Sequence, residues 1–309
     1  MKWSFSADRC FRRCQRQYFF REIAAWHNAR DPLRREAFLL KQLKTLELWR
    51  GNLVHQGIEN FVVPQIQENR EIDWSRVTEE TLAMAERQFQ FSKQRRYRER
   101  GVSKSQYSLE YCALVCHEEG QRGNRTEVDA ILESVRQAID NLAGMDSLWR
   151  HVRGRGKYFC EVPIIVSYEG VRIEIKPDLM FFRSYGKPTI IDWKVYEDAS
   201  GSDARLQEAL YAWVLCRHEK WKVARPEDVE LIEVQLLGNT VVRHALSGAA
   251  FDELEDKIYR SVHEITALTE GKEYAEQELS DFGYAQSQNS CTFCTFRKPC
   301  LEKQQWFLM

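Results

Sequence analysis

Two runs rich in β-branched and aromatic residues, 171 to 182 (VRIEIKPDLMFF) and 188 to 196 (PTIIDWKVY), flank the turn-like segment Ser184-Tyr185-Gly186-Lys187-Pro188, a pattern that predicts a β-hairpin. Side chains alternate across a strand, so Ile190, Asp192, Lys194 and Tyr196 share one face and Ile191, Trp193 and Val195 the other. Asp192 and Lys194 then point the same way, roughly 7 Å apart along the strand. On the first strand Arg172, Glu174, Lys176 and Asp178 form the polar series and Val171, Ile173, Ile175 and Leu179 the apolar one. Two carboxylates and an amine can therefore converge. Pro177 cannot donate to a sheet ladder, which predicts a bulge or an unpaired position beside Asp178. Taken alone, such a face is a surface ion pair on a half-exposed sheet; the reason to read more into it lies elsewhere in the chain.

A chain of 309 residues, 43% hydrophobic, can bury a sizeable core. The formal net charge of −1 offers no global attraction to nucleic acid, so any such binding must use local patches. Nine cysteines, behind an N-terminus without the apolar segment of a secretory signal, predict a reducing cytoplasm with thiols as small core residues or metal ligands. There is no run of about eighteen apolar residues to span a membrane, and no GxxxxGK[ST] to make the chain its own motor.

At the N-terminus, Ser4-Phe5-Ser6-Ala7-Asp8 offers a helix cap, and the helix that follows places Cys10 and Cys14 one turn apart and exposes Arg12, Arg13 and Arg16, a face suited to phosphate contact or simply to solvent. From about Arg35 to Val63 the apolar positions Leu39, Leu43, Leu46, Trp49, Leu53 and Val54 predict one long amphipathic helix, with Gly51 one turn before His55. Residues 67 to 157 are polar and helical in pattern and read as a helical insert. Its run Lys93 to Lys104, which includes Arg95 and Arg96, carries six basic residues against one acid, and Arg153 and Arg155 interleave with glycines; both are candidate surfaces for a nucleic-acid backbone, as readily explained by solvated faces. The stretch YFCEVPIIVSY from Tyr158 predicts a strand that puts Glu161 on the face of Phe159 and Ile165, where a carboxylate needs a partner or a metal. A helix from Ser202 to Trp221 follows, with Gln207 and Tyr211 at i and i+4, then strands at 229–237 and 240–246 and a helix from about Phe251 to Thr269. Strands separated by helices indicate a mixed α/β layer architecture.

Cys291, Cys294 and Cys300 form C-x2-C-x5-C, and three thiols this close imply a metal. The fourth ligand is expected at the far N-terminus, Cys10 or Cys14, which would make the metal a clasp between the chain ends. Spacing alone admits zinc or an iron–sulfur cluster.

Together, Pro177-Asp178 and Asp192-Trp193-Lys194 resemble the PD-(D/E)xK nuclease superfamily. The chain is more closely similar to the RecB-type branch with an iron–sulfur clasp, which includes the AddB nuclease domain and the CRISPR-associated RecB-like exonucleases. Gly51-Asn52-Leu53-Val54-His55 resembles that branch's Gly-x-x-x-His element and Gln207-Glu208-Ala209-Leu210-Tyr211 its Gln-x-x-x-Tyr helix. Ser4-Phe5-Ser6 leading to Cys14-Gln15-Arg16-Gln17-Tyr18 resembles its Ser-x-Ser start leading to Cys-Pro-x-x-Phe, which selects Cys14 over Cys10. Gln15 stands where that pattern has proline, and Ile175 where glycine often precedes the first aspartate by three; neither departure removes a ligand or a catalytic group.

The resemblance implies a restriction-endonuclease-like α/β fold: a mixed central sheet flanked by helices, with a helical insert and a four-cysteine clasp. With 67–157 read as an insert from its own polar, helical pattern, the chain divides into 1–66 (cluster cysteine and His-bearing helix), 67–157 (insert), 158–247 (nuclease core) and 248–309 (C-terminal helix and cluster cysteines). His55, Asp178 and Asp192, with Glu161 as an outer member, become ligands of Mg²⁺ or Mn²⁺; Lys194 becomes the group that orients the attacking water or stabilises negative charge, and Gln207 and Tyr211 position Lys194 or the strand being cut. Cys14, Cys291, Cys294 and Cys300 become the ligands of a [4Fe–4S] cluster, with Zn²⁺ as the alternative. The implied function is a metal-dependent DNA nuclease, acting on single-stranded DNA or DNA ends in repair or anti-phage defence, beside a helicase or ATPase partner; the alternative is a catalytically silent nuclease-fold module that binds DNA for such a partner.

Overall fold

A computed structural model of the chain describes residues 2–120, 124–154, 156–183, 186–195, 202–221, 223–246, 248–269 and 272–305, with side chains omitted at 202–204 and 302–305. Two sheets form its frame. Strands β1 (Lys2–Trp3), β3 (Ile164–Tyr168) and β4 (Val171–Ile175) make a small sheet in the order β1-β4-β3, with β1 parallel to β4. Strands β2 (Gly156–Cys160), β5 (Leu179–Arg183), β6 (Thr189–Lys194), β7 (Glu230–Gln235) and β8 (Thr240–His244) make the central sheet in the order β2-β5-β6-β7-β8, mixed because β6 and β7 run parallel while the other pairs are antiparallel.

This arrangement corrects two expected strands. The stretch 158–168 is not one strand: β2 belongs to the central sheet and β3 to the small one, and Glu161 lies between them at φ +54°. The stretch 171–182 is likewise cut, with β4 in the small sheet and β5 in the central one; Pro177 marks a change of sheet rather than a bulge within a strand. The hairpin survives as β5 and β6, paired with Leu179 opposite Ile191. Ser184, Tyr185 and Tyr196 lie outside the described residues.

Alternation on the central sheet sorts its two faces into two cores. Leu179, Phe181, Ile191, Trp193, Ile232 and Val234 face a layer of helices that includes Leu46–Gly57, Trp74–Lys93 and Arg125–Ala143. Met180, Ile190 and Leu231 face the other layer, with helix Ser202–Arg217 and helix Gly248–Thr269. Much of the 67–157 segment therefore covers one face of the sheet. The inner strands β6 and β7 are buried on both sides, which is why β6 reads as almost uninterruptedly apolar apart from Asp192 and Lys194.

Local chemistry sets the helix boundaries. Ser4 caps helix Phe5–Arg13 by accepting from the Ala7 amide, and Asp31 caps Pro32–Lys41 with proline at its first turn. The single helix expected over 35–63 is broken: Pro32–Lys41 ends, Lys44 forms a bridge with Leu114, and Thr45 caps a new helix, Leu46–Gly57. The helix expected to reach Trp221 stops at Arg217.

Candidate active site

Asp178 sits at the entry to β5, immediately after the chain changes sheet. One carboxylate oxygen accepts from the Trp193 backbone amide at 2.7 Å, and the other lies 3.1 Å from His55 Nδ1. The first contact locks the Asp178 side chain to β6, the second to helix Leu46–Gly57. Glu161, in its left-handed turn, brings a carboxylate oxygen 4.0 Å from the same imidazole nitrogen, and Lys176 forms an ion pair with it. His55, Glu161 and Asp178 each offer a ligand atom within 4.8 Å of the others, a set of two hard oxygens and one nitrogen that could hold a divalent cation.

Strand parity is the wrong reason for Glu161 to be here; the turn between the sheets is the right one. Gly51 has open space where a Cβ would stand, so among the described residues no neighbouring backbone approaches it and the space one turn before His55 is clear.

Asp192 and Lys194 do share one face of β6, and they form an ion pair. Asp192 is not part of the 4.8 Å trio. Its Oδ1 instead accepts from the Tyr211 hydroxyl at 3.0 Å, and the Tyr211 oxygen accepts from Gln207 Nε2 at 3.1 Å. Gln207 and Tyr211 thus act on Asp192, where the sequence had suggested Lys194 or the substrate strand. The chain Gln207, Tyr211, Asp192, Lys194 runs from helix Ser202–Arg217 onto β6.

Electrostatics separate the two aspartates. Burial works against the charge of Asp178, but His55, the Trp193 amide and Lys194 outweigh it and hold the carboxyl below its usual range. Burial and the neighbouring charge of Asp178 push Asp192 up to about 6, with Lys194 opposing them. For His55, burial favours the neutral ring, yet Asp178 and then Glu161 dominate and raise it to about 10. A protonated imidazole thus supplies, between the two carboxylates, the positive charge that a metal ion would bring.

Away from these residues, Cys14, Cys291, Cys294 and Cys300 line one cavity of about 40 Å³ with Phe20, Tyr284 and Phe296. Cys10 points into the hydrophobic core instead. Burial and the proximity of the other thiols raise both Cys294 and Cys300, although no three of the four sulfurs lie within 4.8 Å of one another. The donor set suits zinc or an iron–sulfur cluster.

The basic residues are less available than their sequence suggests. Arg12 pairs with Asp8 and Glu264. Arg16 is half-buried: it donates to the Phe282 carbonyl and stacks 3.6 Å over Tyr284. Arg95 pairs with Glu118, and Arg96 donates to the Tyr107 hydroxyl. Arg13 and Arg153 are exposed, and Arg155 lies outside the described residues.

A family model described as "PD-(D/E)XK nuclease superfamily" matches residues 2–301. No curated protein matches the chain. Among solved structures, that of SSO0001 aligns at 14% identity over 72% of this chain and 97% of that chain, with a TM-score of 0.30.

Proposed function

The chain belongs to the PD-(D/E)XK nuclease superfamily, and on that footing we propose that it is a Mg²⁺- or Mn²⁺-dependent deoxyribonuclease acting on single-stranded DNA or DNA ends. The observation that carries this reading is the meeting of His55, Glu161 and Asp178 within 4.8 Å, beside the Asp192–Lys194 pair. His55, Glu161 and Asp178 would hold the divalent ion, which when bound would supply a nucleophilic water and relief of charge at the scissile phosphate. Lys194, steered by Asp192, orients that water or meets the negative charge that develops on the phosphate. Tyr211 fixes Asp192, and Gln207 fixes Tyr211. Asp192 would offer a bound ion a further carboxylate oxygen.

Purified protein with Mn²⁺ and end-labelled single-stranded DNA tests the reading. Cleavage that Lys194→Ala abolishes is the expected result; absence of cleavage on every DNA and RNA offered sinks it and favours the silent DNA-binding module. The intact Asp178, Asp192 and Lys194 set speaks against that module, since binding DNA requires none of the three.

The reading extends to Cys14, Cys291, Cys294 and Cys300 as ligands of a [4Fe–4S] cluster, supported by their shared cavity. Brown protein with one cluster per chain agrees with it, whereas colourless protein with one zinc does not. With no nucleotide-binding loop in its sequence, the protein is proposed to work beside a helicase or ATPase in repair or anti-phage defence. Exposed Arg13 and Arg153 are the remaining described candidates for phosphate contact among the arginines named above.

A further inference from the structure

Glu208, Glu233 and His244 have no part in the proposed hydrolytic centre, yet they form a second convergence of ligand-type side chains, each with a ligand atom within 4.8 Å of the others. The central sheet makes two of them neighbours. Glu233 stands beside Asp192 in the parallel β6–β7 register, and His244, opposite Leu231, is the diagonal neighbour of Glu233 across β7 and β8. Glu208 comes from helix Ser202–Arg217, which covers that face of the sheet.

Glu208 is 1% exposed and Glu233 2%. Two carboxylates that close together in the interior lose their hydration and repel each other. The charge of Lys194 favours an ionised Glu208, but burial, Asp192 and Glu233 oppose it, and the hydrogen-bonding partners do not resolve this. Glu233 Oε1 accepts from Gln235 Nε2 at 2.9 Å, and Glu233 Oε2 is 3.3 Å from His244 Nε2. Glu208 Oε2 and His244 Nε2 nonetheless have no hydrogen-bond partner, the imidazole nitrogen being near Glu233 but not aligned to donate to it. Buried polar atoms left in this way are rare and point to something that belongs between them. A water molecule would satisfy hydrogen bonds and leave the charges adjacent; a cation answers both needs.

We propose that Glu208, Glu233 and His244 are the protein ligands of a second divalent transition-metal ion, next to Asp192 and separate from the His55, Glu161 and Asp178 centre. Two carboxylates and an imidazole favour Mn²⁺ or Zn²⁺ over Mg²⁺, because the ring nitrogen is the softer donor. Gln235 plays the outer role usual around such ions, fixing the orientation of a ligating carboxylate.

Mn²⁺ is the probe, since the thiol cluster is too soft to compete for it. Titration of the full chain with Mn²⁺, followed by electron paramagnetic resonance of the free ion, is expected to give two sites per chain. His244→Asn and the near-isosteric Glu208→Gln should each leave one, Asp178→Asn should leave the other, and the double variant Asp178→Asn/His244→Asn none. In EDTA, Glu208→Gln should melt at or above the wild-type temperature, and added Mn²⁺ should raise its melting temperature less than that of wild type. A single wild-type site that Asp178→Asn removes and His244→Asn leaves untouched would overturn the proposal, with a proton on Glu208 then offsetting the charge. The count is made without substrate, so its failure leaves the nuclease reading standing.

Discussion

Lys194 is one of two charged groups on a strand otherwise buried on both sides, and its amine is held by Asp192. Replacing it with alanine removes the positive charge nearest the reacting phosphate while leaving the sheet ladder intact. Loss of one preorganised charge of this kind costs about 10²–10³ in rate. Lys194→Ala is therefore expected to lose hydrolysis by that factor under single-turnover conditions while keeping the wild-type circular dichroism spectrum and Mn²⁺ affinity. Tyr211→Phe is a milder change. It deletes the donor to Asp192 Oδ1 without altering the packing of the ring, and a net hydrogen bond is worth about 1 kcal/mol. The rate should fall about fivefold to tenfold. Gln207→Ala, acting one bond further away, should cost less than Tyr211→Phe; if it costs more, Gln207 touches substrate directly. Glu208, missed as a site residue although it sits inside the quoted Gln-x-x-x-Tyr element, left a signal: an acid one residue after Gln207 on a helix whose apolar residues occupy nearly every side.

The ion-pair network around Arg98 shows how separate elements are joined. Its guanidinium bridges Glu36, on helix Pro32–Lys41, and Glu118, and Arg95 also reaches Glu118. Burial opposes the charge of Glu118, but Arg98 and Tyr97 outweigh it and hold the carboxyl down at about 2. A depressed carboxyl lends stability that is fully present above its unfolded value of about 4.3 and is lost as pH falls toward 2. Solvent reaches the network, so the contribution is discounted to about 1–2 kcal/mol. Thermal melts across that window should show a steeper acid loss for wild type than for Glu118→Gln, with the curves meeting near pH 2. Why some elements were legible and others not follows from where their determinants lie. The β5–β6 hairpin and helix Gly248–Thr269 are specified by neighbouring residues, and they stand close to where the sequence puts them, whereas the N-terminal helix keeps its Ser4 cap but ends at Arg13, with Cys14 extended between it and the short helix Gln15–Tyr18 instead of one helical turn after Cys10. The break at 42–45 depends on Leu114, about seventy positions away in sequence, and the two changes of sheet at Glu161 and Pro177 depend on pairing partners elsewhere in the chain. Alternation in 158–168 and 171–182 continues smoothly across both changes, so strand period alone could not reveal them.

Across the whole molecule, the two ends of the sequence are brought together by several independent contacts. Trp3 donates to Ser261, which donates to Asp8. Phe20 stacks on Phe296, and Gln15 accepts from the Gly283 amide. Cys14 lies in the same cavity as Cys291, Cys294 and Cys300. A metal centre bound by all four thiols would close a loop containing nearly the entire chain, and a cross-link over so long a loop removes unfolded-state entropy worth at most about 5 kcal/mol. The other end-to-end contacts already order this region in the folded state, so little native strain offsets the gain. Cys14→Ser and Cys300→Ser should each lower the melting temperature and bleach or weaken any visible absorbance, whereas Cys10→Ser, which disturbs only core packing, should lower stability by about 1 kcal/mol and leave the absorbance unchanged. Wild-type protein and Cys14→Ser with equal melting temperatures and equal absorbance would mean that the fourth ligand lies elsewhere and that the meeting of the chain ends rests on the aromatic and hydrogen-bonded contacts alone.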